Sequence, residues 1–108
     1  MIDAMAMGAA RKSRIPADYV DVLPGVCGGR PHIHSTRVKV STVVARHVYQ
    51  GDSADDIIEA LPQLTLAQVH AALVYYYDNH DAVEAELRAE DEFVQRMAAR
   101  YATHLAVP

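Results

Sequence analysis

Between Val26 and Val40 the chain reads Val-Cys-Gly-Gly-Arg-Pro-His-Ile-His-Ser-Thr-Arg-Val-Lys-Val, gathering a thiol, two imidazoles, two hydroxyls and three cations in one stretch. His32 and His34 lie two apart, and on a strand that spacing directs both side chains to one face. A zinc-type centre takes three or four ligands, and no nearby cysteine or carboxylate completes such a set. Cys27 is the only cysteine, so no intrachain disulfide can form and a reducing compartment fits. Its thiol would need a neighbouring base or a helix N-terminus to become reactive, and none is predicted. Gly28-Gly29 lacks the lysine-serine signature of a phosphate loop. Ser35 and Thr36 read as turn hydroxyls with no base to activate them. These residues predict no enzyme, no metal and no cofactor. What remains is a binding loop or a place where two chains meet, with Arg30, Arg37 and Lys39 available to an anionic partner.

The charge is distributed unevenly along the 108 residues. Up to Gly51 there are seven Lys or Arg against three acids (+4); from Asp52 onward there are three against eleven (-8), giving the net charge of -4. Such polarity suits a basic end facing an anion and an acidic end facing a basic partner. With 51% apolar and 22% charged residues, the composition is that of one folded domain with tails. No apolar run approaches the roughly 20 residues of a membrane span, and the N-terminus lacks a hydrophobic segment behind a basic start. A cytoplasmic protein without membrane contact is expected.

The elements that must position these groups are mainly helical. Residues 1–14 lack periodicity and read as a flexible tail, with Arg11, Lys12 and Arg14 offering an electrostatic contact. Tyr19 to Leu23 is a short β-like run closed by Pro24-Gly25, and Val38-Lys39-Val40 alternates as a half-buried strand would. The two could pair as a hairpin packed on helices. A first helix is predicted from Ser41 as N-cap to Gln50, stopped by Gly51, with Val43, Val44, His47 and Val48 on one face. A second starts behind Ser53, buries Ile57, Ile58 and Leu61, and stops at Pro62. A third begins at Thr65, whose spacing to Gln68 is that of a capping box. It buries Val69, Ala72, Leu73 and Tyr76, and ends near Asp78-Asn79-His80. Consecutive helical residues point about 100° apart, so Tyr75, Tyr76 and Tyr77 do not form one stacking platform. A long C-terminal helix, from Ala82 to about Leu105, carries a thin stripe of Val83, Leu87, Val94, Met97, Tyr101 and Leu105, which Glu90 interrupts. Such a stripe can dock on one surface.

The short helix, three-residue turn and capped helix give the outline of a helix-turn-helix. The expected fold is a helix-turn-helix-like three-helix core at residues 15–80, with an N-terminal hairpin or paired strands and a helical extension at 81–108. The solvent-facing positions early in the third helix are Ala67, Gln68, His70 and Ala71, and Gln68 could pair with adenine. Phosphate affinity would have to come from Arg30, Arg37 and Lys39.

Gly25 to Ile33, Thr36 to Val40, Gly51-Asp52-Ser53 ahead of Ile57, Leu64-Thr65 and Ala71 to Tyr76 together resemble the domain of unknown function 433 family. The resemblance spans roughly Tyr19 to His80. It implies a helix-turn-helix-like domain with an N-terminal β element, often dimeric. It also implies an antitoxin of a type II toxin-antitoxin system, which as a homodimer represses its own operon and neutralises a PIN-like ribonuclease toxin. On that reading Arg30, Arg37, Lys39, Thr65, Gln68 and His70 meet operator DNA, and the stripe on the last helix meets the partner protein. The family usually has glycine before the Thr-Arg pair, where this chain has Ser35; a positive φ there would strain the serine. The acidic net charge and the shortage of base-reading side chains point to an alternative, a dimeric protein-interaction module without DNA binding.

Overall fold

The computed structural model describes residues 14–106, with side chains as far as Ala102. The expected tail therefore lies outside the described residues except for Arg14, whose guanidinium stands 5.8 Å over the Tyr19 ring. After a 3₁₀ turn at Pro16–Tyr19 come strand β1 (Val20–Asp21) and strand β2 (His32–Ile33), then helices α1 (Val40–Val44), α2 (Ala54–Ala60), α3 (Leu66–Asp78) and α4 (His80–Ala106).

The paired strands exist, but with a different second strand from the one expected. β1 pairs antiparallel with β2, Val20 opposite Ile33 and Asp21 opposite His32. Lys39 contributes only an isolated antiparallel bridge to His32. The cause is a tight turn after Ile33. The Thr36 amide and hydroxyl both donate to the Ile33 carbonyl at 3.0 and 2.8 Å, and the Thr36 hydroxyl accepts from the Val38 amide at 3.0 Å. The chain folds back so that the Ile33 amide reaches the Val38 carbonyl at 2.9 Å. Ser35, at the tip, has φ 63°, so the position where the family usually places glycine does require the left-handed region.

Helix α1 starts one residue before the serine expected to cap it. Lys39 is its N-cap and makes no side-chain cap bond; the Val40 amide donates instead to the Pro31 carbonyl at 3.0 Å. Ser41 is inside the helix and buried. Past Val44 the backbone widens into a π turn, Ala45–Tyr49, before Gly51 leaves the helix at φ 79°. The two expected caps are both closed boxes. Ser53 Oγ accepts from the Asp56 amide at 3.1 Å while Asp56 Oδ2 accepts from the Ser53 amide at 2.9 Å. Thr65 Oγ1 accepts from the Gln68 amide at 3.2 Å while Gln68 Oε1 accepts from the Thr65 amide at 2.8 Å.

These caps fix the entry of α2 and α3, so that their apolar faces converge. The core is built from Ile33, Val40, Val43, Val44, Ile57, Leu64, Val69, Ala72, Leu73, Tyr76 and Val83. Helix α3 is central, packed by α1, by α2 and by the Pro16–Tyr19 turn. The chain is thus mainly helical, with a helix-turn-helix-like core, a two-stranded β element and a long last helix. Asn79 alone separates α3 from α4; its side-chain amide donates to the Tyr75 carbonyl at 3.0 Å, and its own carbonyl accepts from the Val83 amide at 3.1 Å. At 1.5 Å per residue, α4 is about 40 Å long, and from Asp91 to Ala102 every residue is exposed. No helix among the described residues is long and apolar enough to cross a membrane.

Candidate functional site

The two histidines of the opening stretch diverge. His32, on β2, is buried, with Nδ1 3.1 Å from the Arg30 carbonyl. His34 lies past the strand end, where alternation no longer holds, and its Nδ1 is 2.6 Å from Asp21 Oδ2 at the surface. Among the described residues no group of three or more His, Cys, Asp and Glu is placed to hold a metal ion. Cys27 Sγ donates to the Arg37 carbonyl at 3.4 Å, which ties the start of the loop to its far side.

The three cations of that loop have different fates. Arg30 Nη1 and Lys39 Nζ both bond Glu90 Oε1 at 2.8 Å, and Ser41 Oγ lies 3.4 Å from the same oxygen. The residue that interrupts the apolar stripe of α4 therefore fastens α4 to the β element. Two of the three cations expected to meet phosphate are already half neutralised within the chain. Arg37, the third, is exposed. Of the candidate readers on α3, Thr65 and Gln68 are occupied with each other in the capping box. His70 is exposed, whereas Ala71, expected on the solvent face, is buried. From Ala54 to Asp78 there is no Lys or Arg and there are four acids, Asp55, Asp56, Glu59 and Asp78.

The stripe on α4 divides at Glu90. Val83 is 2% exposed and belongs to the chain's own core, and Leu87 packs against it. Neither is open to a partner, because the first turns of α4 lie on the core. Val94, Met97 and Tyr101 are 60%, 42% and 66% exposed, and Phe93 beside them is 56% exposed. Leu105 has a side chain outside those described. Phe93 was not among the residues picked out from sequence, although its i+4 and i+8 spacing to Met97 and Tyr101 could have found it.

A second cluster was not foreseen. Glu84 on α4 accepts from the hydroxyls of Tyr49 at 2.5 Å and Tyr76 at 2.6 Å. These bonds hold the Glu84 carboxyl below its ordinary range and push the Tyr76 phenol up to about 12, with burial of the phenol adding to the shift. The cluster joins the π turn after α1, helix α3 and helix α4, and with His80, Asp81 and Arg88 it lines a shallow hollow. A carboxylate between two phenols can orient groups, but it has no nucleophile beside it.

A helix-turn-helix-like core, a short antiparallel pair in front of it and a long helix behind define a compact class of small helical domains. The profile of a family described as "Protein of unknown function (DUF433)" matches residues 20–76, just over half of the sequence. The chain belongs to that family. It is similar to the crystal structure of a DUF433 member protein from Anabaena variabilis ATCC 29413, at 27% identity and a TM-score of 0.60. The match covers 81% of this chain and 95% of that one. No curated protein matches the chain. The matched profile ends inside α3, so α4 and its bare stripe lie beyond it.

Proposed function

We propose that the protein acts by contact rather than catalysis, as a cytoplasmic antitoxin-type homodimer that neutralises a PIN-like ribonuclease through α4 and seats its core on operator DNA. The observation that carries this reading is the apolar face of Phe93, Val94, Met97 and Tyr101, left bare on a helix that continues past the core. Four large side chains in a row without cover mark a surface made for another protein chain. Asp91 and Glu92, at the start of that bare stretch, are the acids placed to meet a basic RNA-binding cleft. Co-expression with the product of the neighbouring gene tests it. The full chain should restore growth and co-purify with that product, and a chain ending at Glu90 should do neither. Growth arrest in the presence of the full chain would refute the antitoxin reading.

For DNA, support comes from the capped α2-turn-α3 pair and the exposed Arg37. Exchanging both Arg37 and Lys39 for Ala should weaken binding to the chain's own upstream DNA about equally for all sequences and flatten its salt dependence by about one phosphate contact, that of Arg37, because Lys39 is already bonded to Glu90. A second reading, a dimeric interaction module with no DNA role, is favoured by the absence of any Lys or Arg from Ala54 to Asp78. An electrophoretic shift assay separates the two, because only the first reading expects a shifted band.

A further inference from the structure

The bare face of α4 has a border of its own. Phe93, Val94, Met97 and Tyr101 form one hollow with Arg100 at its edge. The same Phe93 and Val94 form a second with Arg30, Lys39, Glu90 and Arg96. Because they share two side chains, the hollows run together into one trough along the helix. From Ala89 to Tyr101 it is about 18 Å long at 1.5 Å per residue. Its charge is one-sided: four cations (Arg30, Lys39, Arg96 and Arg100) stand against one acid, Glu90, a balance of +3. Glu90 is already taken by Arg30 and Lys39. Among the described residues neither Arg96 nor Arg100 has a carboxylate partner. Arg100 reaches back over the apolar face, its Nη1 3.9 Å from Met97 Sδ. The outer acids lie elsewhere. Asp91 accepts from Gln95 at 3.0 Å and lines a hollow with Tyr49 and Glu84 instead, and Glu92 lines neither part of the trough. We infer that the trough takes an amphipathic helix of a partner protein whose apolar stripe is edged with carboxylates.

Shape and charge both select that occupant. The trough is shallow, with Phe93, Val94, Met97 and Tyr101 still 42–66% exposed, so it does not enclose a small molecule as ligand pockets do. Phe93, Met97 and Tyr101 recur every four residues, the spacing that receives the apolar face of another helix laid along it. A nucleic acid would bring phosphates to the cations but no apolar stripe to the side chains between them. A second copy would bring the same four cations against their like, which is costly. A partner helix with carboxylates beside its stripe satisfies both the apolar floor and the basic edge. The net charge of the whole chain, -4, would have suggested a basic partner everywhere; at this trough the local balance has the opposite sign.

The inference rests on α4 being a contact helix, and it names the chemistry of what that helix contacts. The probe is a fluorescein-labelled synthetic helix with Leu at i, i+3, i+4 and i+7 spacing and Glu along both edges of that stripe; its twin carries Lys in place of Glu. In anisotropy titrations with the full chain, the Glu peptide should bind roughly tenfold tighter than the twin, by a margin that shrinks as salt rises. The double variant Arg96→Glu, Arg100→Glu should reverse that order with unchanged helical circular dichroism, and Met97→Glu should weaken both peptides. Binding of neither peptide, equal or tighter binding of the Lys twin, or an order unmoved by the double variant overturns the inference. So does displacement of the Glu peptide by an equimolar single-stranded oligonucleotide, or a dimer of the full chain that Met97→Glu breaks, since nucleic acid or a second copy then holds the trough. If parent and double variant capture the neighbouring gene's product equally well, the antitoxin reading stands and the inference falls. A chain that binds the Glu peptide as expected but captures no such product supports the inference and sinks that reading.

Discussion

Ser35 is a single residue in a conformation that its side chain resists. At φ 63° the Cβ of an L-residue crowds the following carbonyl, at a penalty of about 1–2 kcal/mol that glycine escapes. Glycine gives part of that back through its freer unfolded chain. Ser35→Gly should therefore stabilise by about 0.5–1 kcal/mol, seen as a higher urea midpoint at unchanged slope; a lower midpoint would show that the serine is not strained. Glu84 makes a prediction of a different kind. Its folded pKa is depressed because two phenols donate to it. The stability it contributes is present above the ordinary carboxyl value, about 4.3, and is lost as pH falls through the lower folded value. Tyr76 has the opposite sign: its contribution is full below pH 10, the value of a free phenol, and is lost as pH rises through about 12. Glu84→Gln should flatten the acid limb of a melting-temperature profile and bring the Tyr76 ultraviolet titration back toward an ordinary phenol. An unchanged tyrosine titration would mean that the carboxylate does not hold that proton.

At the scale of elements, Glu90 sets where α4 stops being part of the core. It binds Arg30 and Lys39 through one oxygen, in a half-exposed position where an ion-pair network is worth about 1 kcal/mol or less. Glu90→Ala should lower stability by no more than that, yet hydrogen exchange in the middle turns of α4 and at Arg30 to Lys39 should quicken; exchange identical to the parent would remove the fastening role. What the sequence made legible follows from how local each device is. The caps at Ser53 and Thr65 act within four residues, so residue type and spacing alone exposed them, with the box at Thr65, and with them the helix-turn-helix-like core; that Ser53 also closes a box with Asp56 came from the structure. The β element was seen but paired wrongly, because the Thr36 turn that returns Val38 to Ile33 depends on three hydrogen bonds that no alternation pattern encodes. Ser41 looked like a cap because the Pro31 carbonyl that takes the Val40 amide is nine residues away. Glu90 looked like a flaw in the stripe because its cations lie 60 and 51 residues earlier. A carboxylate at a seam position was nevertheless a readable demand for a cation.

Over the whole molecule, the fold and the contact arm are separable. Every member of the buried core lies at or before Val83, and the last side chain packed against it is Leu87. The family match likewise stops at residue 76. The expected partner stripe was legible as one helical face, but its division was not, since periodicity cannot tell which part of a face the chain covers by itself. Removing residues 91–108 should then leave the urea midpoint of the dilute protein within about 0.5 kcal/mol of the parent, as for changes away from core, caps and networks. Ending the chain at Asn79 would take Val83, Leu87 and both carboxylates, Glu84 and Glu90, uncovering the core face on which the first turns of α4 lie, and should lower stability by several kcal/mol. Denaturant titration of the two truncations, beside co-purification with the neighbouring gene's product, reads fold and contact independently. If the shorter cut is as damaging to stability as the longer one, the outer half of α4 belongs to the core after all, and its apolar face is not a surface for another chain.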